Sequence, residues 1–294
     1  MTSLSQRSPF RQFARAYGSL LSLAGSSQEI SQTLARIAAT LAEQAAATPP
    51  APPPPAPAGK MDIDVHRRFG FDLMLDKSSL VDRTVIETGQ WEPQQLHFLG
   101  QLAEHFRGQR NTVFLDIGSY WGLYSFMMLK TRIFDQILAF EADGHNFAQL
   151  QTNVFLNRAA REIKAANLAV TDRDHTLHVW DSLAHPDGNR GGVGIAEPGV
   201  HFPITAVQAV AIDSYLPLSG ANLLIKIDVE GHEKEVIAGL ARTVRDNKVI
   251  MQVEIYEPQM AVAIPLLDGL GLRRLQQIEH DFYYTNIAPS ELGR

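Results

Sequence analysis

The chain has 294 residues, 45% hydrophobic and 20% charged, with a formal net charge of −6. That supplies an apolar core for one large domain or two modest ones, and the acidic balance with no dense basic cluster argues against a nucleic-acid partner. A cysteine count of 0 excludes disulfides, thiolate-bound zinc and a thiol nucleophile, and no apolar run nears the ~20 residues of a membrane span, so a cytoplasmic location is expected.

Residues 1–47 form a helical extension by pattern. Arg7, Arg11 and Arg15 precede "AYGSLLSLAG", whose apolar stretch is short and interrupted by Gly18 and Ser22, a poor match to a leader. Phe10, Phe13, Ala14, Tyr17, Leu20 and Leu21 share one helical face; Ile30, Leu34, Ile37, Leu41 and Ala45 share another. Helices this short need a partner surface: the main domain, a second copy in a homo-oligomer, or another protein. Residues 48–60, "TPPAPPPPAPAGK", are a proline-rich linker.

From residue 61 to 294 the pattern alternates as one α/β domain. "WEPQQLHFLGQLAEHF" is helical, "TVFLDIG" is a buried strand, and "LYSFMML" a helix after it. "QILAFEAD" is the next strand and "NFAQLQTNVFLNRA" the next helix. "IKAANLAV", "TLHVWDS" and "VQAVAID" are strand-like. "NLLIKIDVEG" is a strong buried strand, followed by the helix "HEKEVIAGLARTVRD" and the strand "VIMQVEIY". "LRRLQQIEH" and "DFYYTN" close the chain as an antiparallel pair. The alternation predicts a doubly wound parallel sheet with helices on both faces. "DGNRGGVGIAEPGVHF" has no period and is either an active-site lid or a plain surface loop; His185, Asp187, Arg190 and His201 in and beside it are polar enough to meet a hydroxylated acceptor.

In such a sheet, ligands bind beyond the C-terminal strand ends. Asp116 stands there, followed by Gly118 and Gly122, and Glu141 ends the next strand. A glycine loop permits close backbone approach, and an acid on the second strand can accept both ribose hydroxyls of a nucleoside. The loop D-I-G-S-Y-W-G lacks the G-x-G-x-x-G spacing of dinucleotide sites and sets an acid where phosphates would lie. S-adenosylmethionine, cationic and free of phosphate, suits it better than NAD. A nicotinamide-type Rossmann oxidoreductase and a non-catalytic cofactor-binding scaffold using the N-terminal helices are the alternatives.

"VFLDIGSYWGLYS", "AFEADGHNFAQLQTNVFLN", "NLAVTD" and "LIKIDVEGHEKEVIAGL" resemble the FkbM family of S-adenosylmethionine-dependent methyltransferases, and "GQWEPQQLHFL" is similar to that family's approach to its first strand. The resemblance covers roughly residues 80 to 260. It implies a Rossmann-like class I methyltransferase fold that O-methylates a hydroxyl of a sugar, glycan or small metabolite. It implies that Asp116, Gly118, Ser119 and Gly122 form the cofactor loop, that Glu141 holds the ribose, that Thr171 or Asp172 lies near the adenine, and that Asp228, Glu230 and His232 sit where the acceptor meets the methyl group. Tyr120 and Trp121 stand where many relatives have small residues, so they wall the pocket or narrow it.

Methyl transfer to oxygen needs positioning and a proton acceptor. Asp228, Glu230 and His232 alternate, which on an extended segment turns them to one side. His232 or Asp228 is the expected base, with Glu230 orienting the acceptor; capping or ion pairing is the plainer role for the histidine. The same trio suits a hard divalent metal, but no further ligand group accompanies it and none is expected. Lys226 is expected to pair with a buried acid. Glu92 and Glu254 are either acceptor contacts or ordinary acids at a helix start and a strand end.

Overall fold

The computed structural model describes residues 61–184, 189–196 and 204–292. The expectations for the helical extension, the linker, His185, Asp187 and His201 lie outside the described residues. The chain starts with a hairpin of β1 (Ile63–Arg68) and β2 (Phe71–Asp76). Phe69 and Gly70 join the strands at φ 55° and 95°, the doubly left-handed turn that suits strand twist. Then come α1 (Leu80–Thr88) and α2 (Pro93–Ala103). Pro93 opens α2, where its missing N–H costs nothing. Leu73 and Leu75 of β2, Val85 of α1, and Leu96 and Leu99 of α2 are buried together.

The central unit runs β3 (Thr112–Ile117), α3 (Leu123–Thr131), β4 (Gln136–Glu141), α4 (Gly144–Leu156) and β5 (Ile163–Asn167). An excursion of β6 (Ala169–Val170), β7 (His175–Trp180) and β8 (Ile204–Val210) forms a separate three-stranded sheet, ordered β6-β8-β7. The chain returns through α5 (Ile212–Tyr215), β9 (Asn222–Ile227), α6 (Glu233–Ala238), α7 (Ala241–Asp246), β10 (Lys248–Glu254), α8 (Met260–Gly269), β11 (Arg273–Ile278), β12 (Asp281–Thr285) and α9 (Pro289–Leu292). The main sheet has seven strands in the order β11-β12-β10-β9-β3-β4-β5. Neighbours from β10 to β5 are parallel, and β12 is antiparallel to both β10 and β11. This is the doubly wound class I methyltransferase arrangement with its C-terminal antiparallel pair. From β3 the order runs outward both ways, so the switch point lies between β3 and β9.

Some expectations change. "IKAANLAV" is two strands in two sheets, and "TLHVWDS" and "VQAVAID" pair in the small sheet. The helix expected over "HEKEVIAGLARTVRD" breaks into α6 and α7 around Gly239. A Cβ there would fall 2.0 Å from the Thr171 carbonyl oxygen, so the helix end is pinned against the chain leaving β6.

One apolar cluster covers each face of the main sheet. Leu223, Ile225 and Ile227 of β9 point into the first, and Leu224 into the second with Phe114 and Ile250. Each such side chain contributes about 1.5–3 kcal/mol on burial. Lys226 falls on the face of Leu224, within β9 and 3% exposed. A lysine buried there needs compensating charge.

Candidate active site

A cavity of about 280 Å³ opens at the C-terminal ends of β3, β4 and β9, at the switch point. Its first wall is main chain. Gly118 sits at φ +81°, and a Cβ on it would fall 1.6 Å from the Asp228 carbonyl oxygen, so only glycine lets the β3 loop lie against the end of β9. Gly118 N and Ser119 N both donate to the Phe140 carbonyl, at 2.9 and 3.0 Å. Gly122, at φ +97°, has Leu150 Cδ1 2.6 Å from its Cβ position.

The acids of this wall are held from behind. Asp116 is 1% exposed. Its Oδ2 accepts the Ser125 hydroxyl at 2.6 Å, whereas its buried Oδ1 has no partner. Burial pushes its carboxyl up to about 6, opposed by the nearby Lys226 charge. Glu141 accepts from Tyr120 N at 2.7 Å on Oε2 and from Asp143 N at 2.9 Å on Oε1. One lone pair of each oxygen therefore remains. Burial, then the Asp143 charge, raise Glu141 to about 8.

Tyr120 and Trp121 wall the cavity and do not fill it. Tyr120 turns at φ 48° and donates its hydroxyl to Asp82 Oδ1 at 2.7 Å. Trp121 is fully buried in the cluster under α2. Leu168, Ala169 and Val170 line the cavity, whereas Thr171 and Asp172 stand just outside it. Thr171 Oγ1 lies 3.0 Å from His232 Nε2, and Asp172 meets Arg173 at 3.3 Å on the surface.

The second wall is side chain. Lys226 Nζ lies 2.6 Å from Asp228 Oδ2 and 4.4 Å from the Tyr124 ring centroid. Asp228, then Glu92, Glu254 and Asp116, outweigh its burial and raise its pKa. The expected ion pair thus forms inside the cavity, with an acid two positions along the chain, just past the end of β9. Glu92, at φ 46°, accepts from Trp91 Nε1 at 2.9 Å and from the Tyr124 hydroxyl at 2.6 Å. Glu254 Oε1 accepts the Tyr256 hydroxyl at 2.6 Å, and burial, then the Asp228 charge, lift Glu254 to about 9. Glu230 reaches about 8 through desolvation and the Asp228 and Glu233 charges.

The trio after β9 is arranged otherwise than expected. The strand ends at Ile227, and Glu230 and Gly231 turn at φ 50° and 99°, so alternation no longer aims the three side chains one way. Asp228 joins Lys226, Glu230 stands on the turn, and His232 swings to Thr171, with Nδ1 3.5 Å from Glu235 Oε2. Burial lowers the pKa of His232. Among the described residues no group of three His, Asp or Glu side chains is placed to hold a metal ion. Arg190, read as either an acceptor contact or part of a plain surface loop, is 5% exposed and turned inward. Tyr124, Trp91 and Tyr256 also line the cavity; they escaped the sequence reading because nothing local marks an aromatic as site-facing.

Residues 116–273, more than half of the chain, match the methyltransferase FkbM domain. No curated protein matches the sequence. Among solved structures the chain is similar to a methyltransferase FkbM from Methylobacillus flagellatus KT, with 17% identity, 66% of this chain and 50% of that one covered, and a TM-score of 0.42. It thus spans about half the length of that protein. It is also similar to a human methyltransferase 10 domain containing protein, with 13% identity, 74% and 89% covered, and a TM-score of 0.41. A third is M. jannaschii TYW2 in complex with AdoMet, with 10% identity, 77% and 85% covered, and a TM-score of 0.38.

Proposed function

The chain belongs to the FkbM methyltransferase family, and on that premise we propose that it moves a methyl group from S-adenosylmethionine to a hydroxyl of a sugar, glycan or small metabolite. The carrying observation is Asp116, a buried acid that lines the cavity beside a glycine whose Cβ the fold cannot admit and that has one carboxylate oxygen, Oδ1, without a partner. A buried acceptor left unpaired costs about 1–3 kcal/mol and calls for a donor. The cofactor's ammonium is such a donor, and the residues present fit the rest of it. Glu141 keeps free lone pairs for two ribose hydroxyls, and Leu168, Ala169, Val170 and Phe140 offer apolar surface to a base. Thr171 would act indirectly, by holding His232, and Asp172 at the rim. Glu92, Asp116, Glu141, Asp228, Glu230 and Glu254 line the cavity against one lysine, itself paired with Asp228, a lining with no surplus of positive charge for a pyrophosphate, which disfavours NAD.

When bound, the cofactor supplies a methyl group on a positively charged sulfur, open to in-line attack. The protein's own task is to place the acceptor oxygen and take its proton. In this reading Glu92 and Glu230 orient the acceptor by hydrogen bonds, and Lys226 offsets negative charge building on its oxygen. The proton goes to Glu254. His232 is engaged at both ring nitrogens, Asp228 is neutralised by Lys226, and both Glu92 oxygens already accept. Glu254 accepts from Tyr256 through Oε1 only, and it stands at a regular strand end. Burial, then Asp228 just past β9, Lys226 of β9, Tyr256 and Asp281 of β12, set its proton affinity. We place the reaction in the cytoplasm; among the described residues no helix is long and apolar enough to cross a membrane.

Calorimetric titration with S-adenosylhomocysteine, and with NADH in a parallel cell, tests the cofactor. Micromolar binding of the homocysteine compound alone is expected; binding of NADH alone overturns the reading.

A further inference from the structure

We propose that residues 189–196 are a clasp that closes over the cavity and that Arg190 is its latch, a positioning residue acting through Asp82 and Tyr120. The identity of the ligand beneath the clasp rests on the cofactor reading above.

The segment reads N-R-G-G-V-G-I-A. Gly191, Val193, Gly194 and Ile195 line the cavity. The Cβ position of Gly191 lies 3.3 Å from Val81 Cγ2 on α1, and that of Gly194 lies 2.6 Å from the Glu230 carbonyl oxygen. The chain therefore runs from α1 to the turn after β9, touching both sides of the opening. Glycine at 194 is what lets it lie so close to the Glu230 carbonyl.

Its ends are held differently. The far end is main chain on main chain: Ile195 bridges Val179, and Ala196 N donates to the His178 carbonyl at 2.8 Å. The near end hangs on Arg190. Asn146 Nδ2 donates to the Arg190 carbonyl at 2.8 Å, and Arg190 Nη2 donates to Gln149 Oε1 at 2.6 Å. Asp82 Oδ2 and Asp76 Oδ2 lie 3.5 and 3.8 Å from the same nitrogen, and the buried Nε has no partner. One short hydrogen bond and two long ion pairs seat a buried guanidinium incompletely. Such a seat can be left and regained, unlike the backbone ladder at the other end.

The seat also touches the cofactor loop. Asp82 is fully buried and accepts from Asp76 N, Gln149 Nε2 and the Tyr120 hydroxyl. The Arg190 guanidinium carbon lies 5.9 Å from the Tyr120 ring centroid. Tyr120 N in turn donates to Glu141. Release of Arg190 would thus loosen the clasp and the wall bearing Glu141 together.

The test uses the full chain, with stopped-flow association and dissociation of S-adenosylhomocysteine and hydrogen exchange at the Gly191–Gly194 amides. Arg190→Gln should speed both association and dissociation, the latter by about tenfold, and Arg190→Lys should fall between. Gly194→Ala, which leaves the Arg190 seat intact but pushes the clasp off the Glu230 carbonyl, should also speed dissociation. A lower melting temperature with unchanged exchange rates in both Arg190→Gln and Gly194→Ala overturns the proposal. If Arg190→Gln does not fold, unchanged kinetics in Gly194→Ala overturns it alone. If the wild type binds no S-adenosylhomocysteine, the cofactor reading fails, and amide exchange still decides the clasp: faster exchange in Gly194→Ala or Arg190→Lys sustains it, unaltered exchange ends it.

Discussion

The cavity's walls are built on opposite plans. On the β3–β4 wall, Glu141 and the glycine loop are fixed by backbone N–H groups, and a carbonyl occupies the space where a side chain of residue 118 would be. On the β9–β10 wall, Asp228 depends on one lysine, and Glu92 and Glu254 on side-chain donors, the Trp91 indole and the Tyr124 and Tyr256 phenols. Main-chain construction gives a rigid receptor. Side-chain construction gives an adjustable one whose charges are only partly balanced. A common cofactor met by the first and a variable acceptor met by the second would divide the labour this way.

Breaking the first wall should have the largest effect. Gly118→Ala drives a methyl group into the Asp228 carbonyl and should abolish S-adenosylhomocysteine binding, with a loss of roughly 3 kcal/mol or more in urea denaturation. Binding at wild-type affinity would mean that the two strand ends separate freely.

Lys226→Met strips the second wall of its cation. It should cost about 3–5 kcal/mol near neutral pH, because it leaves buried carboxylates uncompensated. The penalty should shrink on acidification. Glu230 at about 8 and Glu254 at about 9, both held down by the Lys226 charge, lie above the ordinary 4.5, so the folded state holds more protons than the unfolded chain between these values, and stability falls as pH rises through that window. Melting curves at about pH 5.5 and about pH 8.5 measure it; an equal penalty at both would show that the lysine does not balance these acids.

Glu254→Gln sharpens the contrast within the second wall. With an acceptor in hand, it should lower turnover about a hundredfold while leaving S-adenosylhomocysteine affinity unchanged. Wild-type turnover should climb with pH toward about 9, since the carboxyl must lose its proton to act as a base. A far larger loss in His232→Ala than in Glu254→Gln would return the base to the histidine.

Glu141→Ala should weaken S-adenosylhomocysteine by about 1–3 kcal/mol through the lost hydrogen bonds to the ribose, read by calorimetry. Unchanged affinity would sink the ribose assignment.

What the sequence disclosed follows the same division. β3, β4, β9 and β10, their acid ends and the glycine loop were legible, because buried strands and tight turns write local patterns. The β1–β2 hairpin was not, since its turn uses Phe69 at φ 55° where asparagine is the usual signal. β7 and β8 were visible as strands, but membership of a second sheet is a long-range choice that alternation does not record. His232 lines the cavity, but its turn toward Thr171 was not legible because nothing marks Glu230 as left-handed. Arg190 was hidden by its glycines, which suggest solvent, whereas Gln149, Asp82 and Asp76 meet it from distant parts of the chain.

Glu92, Tyr120 and Glu230 all line the cavity and all sit at left-handed φ, 46°, 48° and 50°. A side chain there costs about 1 kcal/mol that glycine would not. A library of this protein selected only for heat tolerance would therefore drift toward glycine at Glu230, whose charge burial already disfavours, gaining hardiness as it stripped the catalytic chamber of an acid. Breeding a sturdier variant means holding that codon fixed and searching elsewhere.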